Sequence, residues 1–120
     1  MRLELPRTLA AFSPVTSSLT ARSAELAECP AVVWLDIRTE PEVAAAPLPI
    51  DDAVYVNLPC TRDDYSAIDA VAGKIDKDET IACFCGIGFR VQAAKAKLEA
   101  MGYTDVHNVG GYSDIIGLFD

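Results

Sequence analysis

Apolar residues along this chain fall into short unbroken runs, separated by stretches where they recur at helical spacing. Ala31-Val32-Val33-Trp34-Leu35 is a continuous run rich in β-branched and aromatic residues. Such a run predicts a strand buried on both faces of a parallel sheet. It ends at Asp36-Ile37-Arg38. Ala53-Val54-Tyr55-Val56, residues 80–84 and residues 105–109 carry the same signal, and Ser13-Pro14-Val15-Thr16 reads as a short edge strand. The intervening stretches read as helices. Residues 21–27 are helix formers, and Thr39-Glu40-Pro41-Glu42 has the form of a capping box with proline in the first turn. The short helix it opens runs through Ala46 and stops at Pro47 and Pro49. Thr61-Arg62-Asp63-Asp64 reads as a second capping box, opening a helix with Tyr65, Ile68 and Val71 on one face and Gly73 at its end. From Arg90, the residues Val91, Ala94, Leu98 and Met101 predict a helix that Gly102 terminates. Gly110-Gly111 turns the chain into a terminal helix.

Strands alternating with helices predict an α/β fold: a central parallel five-stranded sheet flanked by helices on both faces. A length of 120 residues suits one domain over residues 1–120, with its core at about 21–117. No repeat, linker or low-complexity stretch interrupts it.

Composition narrows the function. The formal net charge of −8 argues against nucleic acid and against anionic membrane surfaces, while leaving room for a local cationic site. The first 18 residues are broken by Glu4, Pro6, Arg7 and Pro14, unlike a signal peptide, and no segment is apolar enough to span a bilayer. A cytoplasmic location is the expectation, with Cys29, Cys60, Cys83 and Cys85 as free thiols. One histidine gives no ordinary zinc spacing, so neither metal nor cofactor is expected. Asp51-Asp52 and Asp63-Asp64 read as solvated turn and helix-cap carboxylates.

The chemistry points to Cys85-Gly86-Ile87-Gly88-Phe89-Arg90. In open α/β sheets, ligands bind beyond the carboxyl ends of the strands. A cysteine there, before a helix, meets loop N–H groups, the partial positive charge of the helix terminus and the full charge of Arg90. All three favour an anionic, nucleophilic sulfur. Gly86 and Gly88 let the backbone curl around it. The competing reading is a structural cysteine at a strand end with a glycine turn for packing.

An ordered set of motifs over residues 32–112 resembles the rhodanese-like sulfurtransferase family. Val32 to Arg38 is similar to its opening strand, which ends in Asp-x-Arg, and Glu42 stands in its Glu-containing helix. Ala53 to Pro59 resembles its Gly-Ala-x-Asn-Ile-Pro segment, and the cysteine loop and the Gly102-to-Tyr112 ending follow in order. The loop-helix and the Gly-Gly-Tyr ending are most similar to rhodanese modules fused to flavin-dependent coenzyme A-disulfide and polysulfide reductases. The resemblance implies transfer of a sulfane sulfur through a Cys85 persulfide to a thiophilic acceptor. Cys85 and Arg90 would be catalytic, and Gly86, Ile87, Gly88 and Phe89 would form the persulfide-binding loop. Asp36, Arg38 and Glu42 would support the loop or Arg90. A small donor (polysulfide, persulfide or thiosulfate) and a thiol or cyanide acceptor are implied, as is a protein sulfur acceptor. Phosphatase relatives need Cys-x5-Arg, whereas four residues separate Cys85 from Arg90, a cradle sized for one sulfur atom.

The chain departs from the family pattern at Ala46-Pro47-Leu48, at Val91 in place of a serine, and by lacking a tryptophan after Gly-Gly. Ile87 and Phe89 replace the polar or basic residues of many thiosulfate-using members. A doubly charged, strongly hydrated thiosulfate is therefore expected to fit worse than a polysulfide or persulfide. Two other readings remain: a rhodanese-like binding or regulatory module, with Ile87 and Phe89 as its docking patch, and a redox-sensing thiol that would need Cys60 or another resolver. Cys83 and Trp34 read as core, Cys29 has no assigned role, and His107 reads as a hydrogen-bonded or exposed histidine.

Overall fold

The computed structural model describes residues 24–29 and 31–119. Four parallel strands form the sheet among them: β1 (Val33–Asp36), β2 (Tyr55–Asn57), β3 (Ile81–Cys85) and β4 (Val106–Gly111), in spatial order β2-β1-β3-β4. The expectation of five strands is corrected to four for these residues, and the edge strand expected at 13–16 lies outside them. Leu35 stands beside Val56 on one side and Cys83 on the other, and Cys83 beside Asn108.

Alternation along the central strands places side chains on two cores. Leu35, Ile37, Ile81, Cys83 and Cys85 face one, against Ile68, Val71, Val91, Ala94 and Leu98. Val32, Trp34, Ala82 and Phe84 face the other, against Leu26, Val109 and Ile115. Both faces of β1 and β3 are thus sealed, which is why these strands read as unbroken apolar runs. Trp34 is core, as expected, with its ring edge-on to Phe119 at 4.9 Å.

Residues 24–27 are helical, and after β1 the helix α1 (Glu40–Ala45) begins at Thr39, whose backbone N–H donates to Glu42 Oε1 at 2.8 Å. Pro41 sits in its first turn, and the helix stops before Pro47. The second capping box is overturned. Thr61 and Asp64 pair with each other through their backbones, at 3.0 and 3.3 Å. The carboxylate of Asp64 instead receives the Ser66 N–H at 2.9 Å, and a 3-10 helix runs Ser66–Gly73. The long helix α2 (Phe89–Ala100) follows the cysteine loop, with Val91, Ala94 and Leu98 buried. Gly102, at φ 103°, ends that turn. A short α3 (Tyr112–Ile115) follows β4 directly. No helix among the described residues is long and apolar enough to cross a membrane.

Candidate active site

Cys85 is the last residue of β3, so the strand runs one residue past the 80–84 expected from the sequence. Being a strand residue fixes its direction: its side chain points with Cys83 into the core beneath α2. Gly86-Ile87-Gly88 then makes the turn into α2, and Gly88 is its N-cap at φ 98°, a left-handed conformation that favours glycine. The Gly88 N–H donates to Cys85 Sγ at 3.0 Å. An anion on that sulfur would therefore meet a backbone donor at the positive end of a three-turn helix. Cys85 itself has 0% exposure, so the sulfur lies under the loop and not on the open surface.

Arg90, on the first turn of α2, turns back toward α1. Its Nη1 and Nη2 donate to Glu42 Oε1 and Oε2 at 3.0 and 2.9 Å, a two-pronged ion pair, and Nη1 also donates to the Cys60 carbonyl at 2.9 Å. The Arg90 hydrogen bonds, together with those from Thr39, hold the Glu42 carboxyl down at about 2 against the opposing effect of burial. The pair lies against Gly86. A Cβ there would stand 2.9 Å from Glu42 Oε2 and 3.1 Å from Arg90 Nη2.

Asp36 and Arg38 belong to a separate network. Arg38 donates to Asp36 through Nε at 3.0 Å and Nη2 at 2.8 Å, and through Nη1 to the Ala46 carbonyl at 2.8 Å. Its guanidinium stacks on Tyr112 at 4.4 Å and lies 5.5 Å from the Phe84 ring centre. Tyr55 donates its hydroxyl to Asp36 Oδ2 at 2.6 Å. Asp36 thus binds Arg38 and Tyr55, whereas Glu42 is the carboxylate on Arg90. Arg38 reaches the loop indirectly, because the Tyr112 N–H donates to the Gly86 carbonyl at 3.1 Å.

Ile87 and Phe89 project outward, 73% and 81% exposed. They line a cleft of about 600 Å³ together with Glu42, Thr61, Arg62, Tyr65, Gly86 and Arg90. Sequence alone gives Arg62 and Tyr65 only a place in an expected helix opening, and nothing in it marks the Cys60 carbonyl as a partner of Arg90. It also gives Gly111 and Tyr112 no role in holding the loop. A Cβ on Gly111 would fall 2.6 Å from the Gly86 oxygen and 2.8 Å from Ile87 Cα, so β4 and the loop touch backbone to backbone.

The other cysteines are free thiols, and Cys60 and Cys83 are buried. Burial pushes the Cys60 thiol up to about 11 and the Cys83 thiol above the ordinary range. His107, buried as the second residue of β4, pairs through Nε2 with Asp105 Oδ1 at 2.8 Å.

A family model described as the rhodanese-like domain matches residues 20–117. Over 40 residues the chain is 45% identical to thiosulfate sulfurtransferase PspE of Escherichia coli (strain K12), a stretch that is 33% of this chain and 38% of PspE. The match thus spans well under half of that relative. A solved structure described as rhodanese with anions from E. coli is similar at a TM-score of 0.55 and 29% identity, covering 71% of this chain and 92% of that one. SSP1007 from Staphylococcus saprophyticus subsp. saprophyticus is similar at a TM-score of 0.57 and 20% identity, covering 81% and 88%, a likeness that bears on fold alone.

Proposed function

This chain belongs to the rhodanese-like domain family, and on that premise we propose that it is a sulfurtransferase in which Cys85 carries a sulfane sulfur as a persulfide. The observation that carries the reading is the sulfur of Cys85 receiving the Gly88 N–H at 3.0 Å, at the carboxyl end of a central strand and under the first turn of α2. The Cys85 thiolate attacks the outer sulfur of the donor. The donor S–S bond breaks, its electron pair leaves with the donor remnant, and a Cys85 persulfide anion remains. A thiophilic acceptor then takes the outer sulfur and releases Cys85 as thiolate. Because the sulfur is covered, donor access requires the Gly86-to-Gly88 turn or the Cys85 rotamer to shift.

Polysulfide or an organic persulfide is the favoured donor over thiosulfate. Arg90 spends both terminal nitrogens on Glu42 and so offers little charge to a dianion. The test is intact-protein mass after brief exposure to polysulfide and, separately, thiosulfate, with Cys85→Ser as control. Gain of one sulfur atom, reversed by cyanide or a thiol and absent in the variant, supports the reading. Turnover with thiosulfate equal to that with polysulfide would sink the donor preference.

A second reading, a docking or regulatory module, is favoured by one observation: the thiol is fully covered while Ile87 and Phe89 stand exposed around it. No sulfur on Cys85 from either donor would overturn sulfur transfer and favour that reading instead.

A further inference from the structure

The cleft beside the cysteine loop is much larger than an inorganic sulfur donor needs. At about 600 Å³ it falls within the range of small-molecule sites. A thiosulfate or short polysulfide would leave most of it empty. Its lining is also uneven. Tyr65, Ile87 and Phe89 present apolar surface, while Arg90 and Glu42 satisfy each other's charges. Arg62 is different: it is exposed, lines the cleft, and makes no ion pair or hydrogen bond with any described residue. The cleft therefore has apolar lining, a neutralised Arg90–Glu42 pair, and one uncommitted cation.

We propose that this cleft binds the organic part of a low-molecular-weight persulfide whose tail ends in an anionic group, with apolar contacts on Ile87, Phe89 and Tyr65 and the anion on Arg62. The inference rests on the sulfur-transfer reading and names its donor. The chemistry balances without any further reagent. Cys85 thiolate attacks the terminal sulfur of R–S–SH, a new S–S bond forms on Cys85, the old one breaks, and R–S⁻ leaves with the electron pair. The terminal proton stays on the transferred sulfur until solvent removes it.

A small anion suits this charge pattern better than a protein surface does. The chain carries a formal net charge of −8. A large partner meets that whole acidic field, whereas a small ligand inside the cleft responds mainly to the nearest guanidinium.

The experiment uses the full chain and reads the initial rate of Cys85 persulfidation by intact mass. Three donors are compared: inorganic tetrasulfide, glutathione persulfide, and the dimethyl ester of glutathione persulfide, which keeps the skeleton but loses both carboxylates. The wild type should favour the acid over the ester by about threefold to fivefold, the scale of one partly exposed ion pair. Arg62→Gln should bring that ratio to about one, and added salt should reduce it in the wild type. Circular dichroism of the variant checks folding. If tetrasulfide loads Cys85 but acid and ester react equally, or the ratio survives in Arg62→Gln, the cleft assignment is overturned while sulfur transfer stands. If no donor loads Cys85, both fall together.

Discussion

Arg90 and Glu42, 48 residues apart in sequence, meet through two parallel hydrogen bonds of 3.0 and 2.9 Å beside Gly86. The contact ties the start of α2 to α1 across the mouth of the cysteine loop. It also converts the cation nearest the loop into one half of a neutral pair. Glu42→Gln would leave Arg90 with an uncompensated charge. The expected outcome is a rise in the thiosulfate rate relative to the polysulfide rate, measured as sulfur loaded on Cys85 per unit time. An unchanged ratio would show that the pair has no part in donor choice.

The same pair predicts a pH dependence of stability. The Glu42 carboxyl is held at about 2 in the folded protein against an ordinary value of 4.5. A carboxyl depressed by folding contributes stability that is fully present above its unfolded value and lost as pH falls toward its folded one. The loss therefore falls between about pH 4.5 and pH 2. Glu42 is 38% exposed and its partner 16%, so solvent screening limits the contribution to about 1 kcal/mol. Urea midpoints measured across that window should fall more steeply for the wild type than for Glu42→Gln.

Arg38 and Asp36 are 2% and 0% exposed, which makes theirs a buried pair of a different kind. Removing one partner strands the other charge in the core, a loss of about 3–5 kcal/mol. Arg38→Ala should therefore lower the thermal midpoint far more than Glu42→Gln. It should also alter the near-ultraviolet signal, because Tyr112 loses the guanidinium stacked on it at 4.4 Å. Arg38→Lys is expected to restore little, since an ammonium offers neither the planar stack nor the fork that reaches Asp36 and Ala46 together.

Much of this arrangement is legible in the chain itself. The unbroken runs around Leu35 and Cys83 mark strands sealed on both faces, and the glycines after Cys85 mark the turn that aims an N–H at its sulfur. What was not legible depends on pairing across the chain. Thr61 to Asp64 has the composition of a capping box, yet the two backbones bond to each other, and the helix that follows is 3-10. A local pattern cannot tell these apart, because both use the same donors and acceptors. Asp36 and Glu42 are likewise equivalent as letters. Only the fold decides that the first serves Arg38 and the second Arg90.

The three buried or covered thiols should differ in chemistry. Cys60, pushed up to about 11 by burial, and Cys83, raised further, stay protonated at neutral pH. Neither should take up sulfur or act as a resolving thiol. Cys60→Ala and Cys83→Ala should each retain single-sulfur loading at Cys85, at a stability cost of about 1–2 kcal/mol for the lost core volume. Peptide mapping after oxidation with one equivalent of hydrogen peroxide checks this. A Cys60–Cys85 disulfide in the wild type would establish the redox-sensing reading.

Glycine substitutions separate what holds the loop from what merely adjoins it. Gly111 is not in a left-handed conformation, so alanine there meets no backbone strain of its own. The obstacle is contact: its Cβ would lie 2.6 Å from the Gly86 oxygen and 2.9 Å from the Ile87 carbonyl carbon. Those are backbone atoms of the cysteine loop and cannot rotate away, so either β4 or the loop must move. Gly111→Ala should destabilise by about 1–3 kcal/mol, as overpacking does, and should weaken the Tyr112-to-Gly86 hydrogen bond that closes the turn. Gly117 has nothing within 4 Å of its Cβ position, so Gly117→Ala should be neutral or slightly stabilising. Measured together by urea denaturation and by Cys85 sulfur loading, the first should lose both stability and rate and the second neither. Equal behaviour of the two would mean that the loop tolerates displacement and that its contact with β4 does not set the position of Cys85.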